Sequence, residues 1–555
     1  MRTFILIPLF ALGACYESTA TAPASAQPPA FAIQAAPLIG GNPNTWVPLC
    51  AVVRVETNAP SRISLRVTDI GNQADTWVVA DAGGFSLLHK NVPVLGLKPS
   101  HRYSVEVTAR NELAENITFP NLLFFTAPAL PAKFPPITLV SSDPVRMAPG
   151  VTVFNAATNN RNDKLVAVDN QGEVVWYLDD SLLPRFAPPF DFVKPTFLAT
   201  KLPNDNFILI VDKHGIVEVT KTGDVISAFW AANIGEVPSN GGAFSYIPIS
   251  TDSFHHDVTP LPESTGSAFA ALGSELRVYN NYPTSVTDPT QTQLISNVVG
   301  DTIVEWKLDG TKQREIRLFD LLDPRRICYD GLAQFWTSHY GRSSTADWSH
   351  ANGLAYDSQS DSYLVSLRHQ DAIIKIARST GQLEWILGAP GRWEGPWLSQ
   401  RLIPENGVAW QYHQHAPIIE PNGRILCFDN GNERSIPPVP GAPLDLRYSR
   451  AVEFEVSDLT RVVRQTWSYT ATAGSEAINS YFVGNATRLT NNNVLICDGG
   501  KGNPATPTFY SGRIVEVTNN TPASVVFDVK VRDQSPTNPS AWFLYRAFRM
   551  TGFGR

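Results

Sequence analysis

Residues 165–178 read LVAVDNQGEVVWYL: an apolar run, a turn built on Asp, Asn and Gly, and a second apolar run. The pattern returns as IVEVTKTGDVISAFW at 216–230, IVEWKLDGTKQREIRLF at 303–319 and IIKIARSTGQLEWILG at 373–388, and starts again at Val452-Glu453-Phe454 and Ile514-Val515-Glu516-Val517. Short apolar runs closed by turn residues predict strands, so each copy is a hairpin. A second hairpin precedes most copies: Pro203-Asn204-Asp205 leads into 207–211, Pro421-Asn422-Gly423 into 425–428, and Asn491-Asn492-Asn493 into 494–497. Two hairpins make a four-stranded unit. Six units predict a six-bladed β-propeller over 137–555, in which radial repetition shelters the sheet edges. The copies are unevenly spaced, so several blades carry long insertions that shape the entrance. The strand Ala541–Arg546 is expected to help close the ring.

Outward from the repeats, residues 37–130 carry short alternating strands at 51–55, 62–67 and 103–108, which predict a small β-sandwich of fibronectin III-like type with Tyr103 as its corner tyrosine. Residues 128–136 (PALPAKFPP) read as a linker. The fold class expected is therefore all-β. Forty-three Pro and 37 Gly in 555 residues argue against a helical bundle, and 10% aromatic residues argue against disorder. A net charge of -7 argues against a nucleic-acid partner.

The chain opens with Arg2 and a nine-residue apolar run, Phe4 to Leu12, too short for a ~30 Å hydrocarbon core and suited to a signal peptide over 1–14. Leu12-Gly13-Ala14-Cys15 resembles a lipobox, which implies lipidation of Cys15 and a membrane contact only through that anchor. Residues 15–36, rich in Ala, Ser, Thr and Pro, are expected to be a flexible tether. Tyr16 follows the Cys in place of an Asp, which favours the periplasmic face of the outer membrane. Cys50, Cys328, Cys427 and Cys497 show no metal-ligand spacing; Cys427 and Cys497 lie in apolar strands and read as buried thiols.

Seven of the ten His lie between 255 and 415. Aligned on the hairpin turn, His256, His350 and His415 share one register, seven residues before Glu263, Asp357 and Asn422, and Asn485 holds the same register before Asn492. These positions open the innermost strands, so they are expected to meet at one mouth of the central channel. Antiparallel pairing about Gln359 sets His350 opposite Arg368, and strand alternation places Asn352 on the face of His350. Three imidazoles, a guanidinium and carboxamides suit a tetrahedral oxyanion group. His255, His413 and His369 are weaker candidates, Asp257 an orienting residue, and His89, His101 and His214 structural. No GxxxxGK[ST] phosphate cradle occurs, so no nucleotide donor is indicated. Two other readings stay open: a metal-dependent propeller hydrolase or lyase with the three His as ligands, disfavoured by the neighbouring Arg368, and a non-enzymatic envelope binding propeller.

FHHDV (254–258), DWSHANGLAYD (347–357), SLRHQDAIIKI (366–376), QHAP (414–417) and LYRAFRM (544–550) resemble the bacterial arylsulfate sulfotransferases. The resemblance covers nearly the whole mature chain. It implies an enzyme that moves a sulfuryl group from a phenolic sulfate ester to a phenolic acceptor, with no cofactor and no 3′-phosphoadenosine-5′-phosphosulfate. It also implies a ping-pong reaction through a sulfohistidine. By motif, His415 is the nucleophile; His256, His350 and Arg368 hold the sulfuryl oxygens, with a His available for proton transfer; and Asn352 is a pocket residue. No metal is implied. Family members form periplasmic homodimers. This chain departs in its lipobox, its insertions and the lack of a closely spaced cysteine pair between the last two His motifs.

Overall fold

A computed structural model describes residues 29–80, 83–85, 89–158, 163–179, 197–237, 244–471, 480–503, 506–532 and 542–554. The leader, Cys15 and most of the tether lie outside these residues, as does Ala541. No helix among the described residues is long and apolar enough to cross a membrane.

The N-terminal sandwich has two sheets. One pairs Leu38–Gly41, Ala51–Glu56 and His89–Val94. The other pairs Thr76–Ala80, Ser61–Asp69 and Arg102–Asn111, with Asn116–Thr118 and Leu123–Thr126 along the last of these. Burial alternates along Ser61–Asp69, with Ile63, Leu65 and Val67 turned inward, as a half-buried strand requires. The corner tyrosine is real: the Lys98 backbone N–H donates to the Tyr103 hydroxyl at 2.7 Å. Ile33, in the stretch expected as tether, bridges Thr57. The linker residue Phe134 packs edge-on against Tyr177 at 5.2 Å. One apolar cluster runs from Val53 and Leu65 through Tyr103 to Phe154, Phe527 and Leu544, so sandwich and propeller share a core.

Six sheets form the blades. Blade 1 holds Val151–Thr158, Lys164–Val168 and Val174–Asp179; blade 2, Phe197–Lys201, Phe207–Val211, Gly215–Val219 and Val225–Ala231; blade 3, His255–Pro260, Phe269–Pro283, Thr292–Trp306 and Lys312–Arg317. Blade 4 holds Ala351–Asp357, Ser362–Leu367, Ala372–Ala377 and Leu383–Gly388; blade 5, His415–Ile419, Ile425–Asp429, Arg450–Ser457 and Val462–Tyr469; blade 6, Asn485–Arg488, Val494–Asn503, Thr506–Val517 and Val525–Val531. Middle strands such as Phe207–Val211 and Ile425–Asp429 are buried along their whole length. Blades press on both of their faces, which explains why these strands read as unbroken apolar runs. The repeat is kept at one further point: all six outer hairpins shift register once, at the last pair before the turn at Val168, Val219, Trp306, Ile376 and Val517, and three pairs earlier at Phe454 in blade 5.

Both ends of the propeller chain are woven into the ring. Trp542–Met550 is the innermost strand of blade 1, pairing with Val151–Thr158, as expected of a closing strand. Ile137–Ser142 is the outermost strand of blade 6, a second closure that sequence reading did not foresee. Blade-to-blade packing runs largely between first strands, which therefore ring the axis.

Candidate active site

The first strands of blades 3, 4 and 5 each break register at their start, between His255 and Val258, Ala351 and Gly353, and His415 and Ile418. The backbone there is left-handed, with φ of 56° at His256, 45° at His350 and 47° at Ala416. A β-bulge re-aims one side chain and interrupts the ladder, and three blades carry one at the aligned His or within two residues after it. Blade 6 does not: Asn485 pairs regularly with Cys497. Its amide donates to the Ala547 carbonyl (3.0 Å) and accepts the Ala547 N–H (2.9 Å), fastening the closing strand.

The histidines at and beside these bulges come together. His256 and His350 ring centroids lie 4.9 Å apart, and Phe335 lies 4.8 Å from His350 and 6.2 Å from His256. These groups lie close enough to oppose one another's protonation: His350 and His415 act on His256, Arg368 and His415 on His350, and Arg368 on His415. Arg368 follows its strand in a single 3-10 turn, and its backbone N–H donates to the His350 carbonyl at 3.2 Å. The expected pairing of 350 with 368 therefore holds, through two compensating offsets. The hairpin pairs Asp357 with Ser362, half a residue beyond the assumed centre, and the bulge shifts the register back. That bulge removes the alternation that put Asn352 on the face of His350. Asn352 is fully buried and donates to the Gln414 carbonyl at 2.9 Å.

His415 has a defined tautomer. Asn430 donates its amide N–H groups to the carbonyls of Ser480 (2.9 Å) and Val483 (3.0 Å), so its amide oxygen faces His415 Nδ1 at 2.6 Å. Nδ1 then carries the proton, leaving the lone pair on Nε2, where it accepts the Val483 N–H at 3.2 Å. Val483 holds φ of 55°, strained for a β-branched residue. Burial first, then Arg368, pushes the His415 pKa down to about 3, so the imidazole is neutral at physiological pH. Arg368 thus contributes to keeping His415 unprotonated, and burial contributes more.

His350 Nδ1 lies 2.5 Å from Asp347 Oδ2, and His369 stacks on His350 with centroids 4.5 Å apart. His369 Nδ1 donates to the Asp347 carbonyl at 2.7 Å. His255 Nε2 faces the Gly273 carbonyl (3.0 Å) and Asp301 Oδ1 (3.2 Å), both acceptors, while its Nδ1 lies 2.9 Å from His256 Nδ1. Burial, with His350 beside it, depresses the His256 pKa; burial, with His369 and Arg368, depresses that of His350. His413 is the exception. Burial opposes its charge, but Asp371 (2.9 Å from Nδ1) and Asp330 (3.4 Å from Nε2) outweigh burial and raise it to about 9. Asp330 also accepts from Arg368 Nη1 at 2.9 Å, and Arg368 Nη2 donates to the Tyr481 carbonyl at 3.3 Å.

Asp257 orients, as expected. Arg546 of the closing strand grips it with two bonds of 2.9 and 2.8 Å, it accepts the Leu354 N–H at 2.9 Å, and neighbouring Tyr545 donates to the His256 carbonyl. His101 pairs with Asp69 at 2.6 Å and His214 is buried; the His89 side chain lies outside the description. The described cysteines are free, buried thiols. Among the described residues, the group whose spacing could suit a metal is Asp347, His350 and His369, a different set from the three-His one. The 2.5 Å contact within it is a hydrogen bond that leaves no room for an ion between the two atoms. Sequence reading missed Asp347, Asn430, Asp301, Asp330 and Phe335. Only Asp347, three residues before His350, carried a local signal.

Residues 137–546 match the family described as arylsulfotransferase (ASST), and residues 38–119 match the arylsulfotransferase Ig-like domain. The arylsulfate sulfotransferase AssT of Escherichia coli O6:H1 (strain CFT073) is 35% identical over 140 residues, 22% of this chain and 23% of that protein. Its namesake from Lelliottia amnigena is 31% identical over 146 residues, 23% of this chain and 24% of that protein. These alignments thus span about a quarter of each relative's length. A solved protein of unknown function from Bacteroides caccae superposes with a TM-score of 0.37 at 12% identity, covering 72% of this chain and 98% of its own. The match that extends through all six blades, together with the match of the preceding sandwich, shows that this chain belongs to the arylsulfotransferase family.

Proposed function

We propose that the protein is an aryl sulfate sulfotransferase that passes a sulfuryl group from a phenolic sulfate ester to a phenolic acceptor through a sulfated His415, without a cofactor. The reading rests above all on the convergence of His256, His350, His415 and Arg368 from three blades. His415 suits the nucleophile: neutral, with its lone pair on Nε2 and its proton held by Asn430. Attack requires the Val483 N–H to leave Nε2. Arg368, His256 and His350 are suited to the equatorial oxygens, where charge develops in a largely water-excluded hollow. Phe335 offers an aromatic wall beside the two imidazoles. Asn352 supports this hollow from behind through the Gln414 carbonyl. The lipobox at Cys15 supports export and anchoring to the outer membrane, facing the periplasm; the homodimer is carried by the family resemblance.

The test is intact mass spectrometry after exposure to 4-nitrophenyl sulfate with no acceptor. One added sulfuryl group, mapped to the peptide holding His415 and absent from His415→Ala, is the expected result. A chain that gains no label, or gains it elsewhere, refutes the reading, and the absence of any label favours a binding propeller.

A further inference from the structure

The three pocket imidazoles differ in what stands behind Nδ1. His415 has a carboxamide oxygen at 2.6 Å, His256 another imidazole at 2.9 Å, and His350 a carboxylate, Asp347 Oδ2, at 2.5 Å. Both acceptors, amide and carboxylate, fix a proton on Nδ1, but only the carboxylate offsets the charge of an imidazolium. Asp347 is fully enclosed. Its other oxygen takes a neutral N–H from Trp336 Nε1 at 3.2 Å, and the stacked His369 fixes the His350 ring plane. A buried carboxylate among neutral donors is costly, and a proton arriving on its partner lowers that cost.

We infer that Asp347 is the positioning residue that makes His350 the proton carrier of sulfuryl transfer. This inference rests on the sulfuryl-transfer reading above. In the first half-reaction His415 Nε2 donates its lone pair to sulfur, forming the N–S bond. The bond from sulfur to the aryl oxygen breaks, its electron pair goes to that oxygen, and the oxygen takes the proton from His350 Nε2. In the second, an acceptor phenol gives its proton to His350 Nε2, its oxygen bonds to sulfur, and the N–S pair returns to His415. Burial, with His369 and Arg368 nearby, keeps His350 neutral in the empty site. The anionic donor brings the negative charge under which the protonated form is held.

Asp347→Asn keeps the shape but cannot balance an imidazolium. The experiment compares two donors at pH 7: phenyl sulfate, whose leaving phenolate needs a proton, and 4-nitrophenyl sulfate, whose leaving group needs one far less. Asp347→Asn should lower kcat/KM for phenyl sulfate by about 10²–10⁴-fold and that for 4-nitrophenyl sulfate far less. His350→Ala should show the same selectivity, and the double variant should be no worse than His350→Ala alone. Equal losses on both donors, or additive losses in the double variant, overturn the inference. Should Asp347→Asn fail to fold, the two donors on His350→Ala still decide: equal losses there also overturn it. Failure of wild-type labelling at His415 is a separate outcome, which removes the underlying reading instead.

Discussion

Arg546→Met removes the cation from a carboxylate that three blades share. Asp257 sits on the first strand of blade 3, accepts the Leu354 N–H of blade 4, and is gripped twice by Arg546 of the closing strand in blade 1. All three groups are buried. Methionine preserves most of the stem volume, so the loss isolates the charge. The carboxylate keeps the Leu354 N–H at 2.9 Å, a weaker bond to its neighbour Val258 at 3.2 Å and a long one from the Thr200 hydroxyl at 3.4 Å, all neutral donors and too little to stabilise a buried anion. Breaking such a pair from one side costs about 3–5 kcal/mol. At roughly 2–4 °C per kcal/mol for domains of 150–250 residues, and about 1 °C per kcal/mol for a cooperative unit of the propeller's size, Tm should fall by about 3–5 °C. Replacing both partners, Asp257→Asn with Arg546→Met, should recover roughly half of that, because the carboxamide oxygen that takes the place of the carboxylate still accepts the Leu354 N–H without a stranded charge. The assay is thermal and urea unfolding of the four proteins of the cycle. A single variant that loses less than ~1 kcal/mol, or a double variant no better than Arg546→Met, would refute the argument that this ion pair locks the ring.

Three further outcomes are expected. With His415 down at about 3, its sulfation in a single turnover with 4-nitrophenyl sulfate should show no inflection attributable to the nucleophile near pH 6.5; an inflection there that persists in His350→Ala contradicts the assignment. His413 is raised to about 9, so its contribution, on the order of 3 kcal/mol, is present below pH 6.5 and lost as pH rises through 9; urea unfolding at pH 7 and 10 should show it, and His413→Gln should flatten the difference. Asn430→Ala takes the donor from the Val483 carbonyl and the shorter of two acceptors from His415 Nδ1, leaving it the His413 carbonyl at 3.1 Å, while the Ser480 carbonyl keeps the Ser449 hydroxyl at 3.3 Å; the stranded carbonyl costs about 1–3 kcal/mol and sulfation should slow, and an unchanged labelling rate would show that the His413 carbonyl alone sets the tautomer.

The propeller was legible because its blades are near-copies. Turn residues at a fixed offset from apolar runs survive even where 303–319 follows a long insertion, and they carried the register that brought His256, His350 and His415 together. Arg368 followed from counting across one hairpin. What stayed hidden depends on chain segments that meet only after folding. Asn430 reaches His415 because Phe428 pairs with His415, and the bulge behind that pairing leaves no mark in a sequence of ordinary β-formers. Asp301 and Asp330 arrive from blade 3 and from an insertion, at separations no periodicity reports. The propeller was expected to begin at 137, but nothing in the sequence told that the strand 137–142 completes blade 6.

The left-handed backbone at His256 and His350 has an evolutionary price. Glycine adopts that conformation freely and asparagine nearly so, whereas histidine holds it at a cost of order 1–3 kcal/mol per residue. Random mutation toward either residue would therefore be rewarded with a sturdier protein at the same moment that it emptied the chamber of its imidazoles. Laboratory selection of this chain for heat resistance alone should converge on these positions, and its winners should be inert.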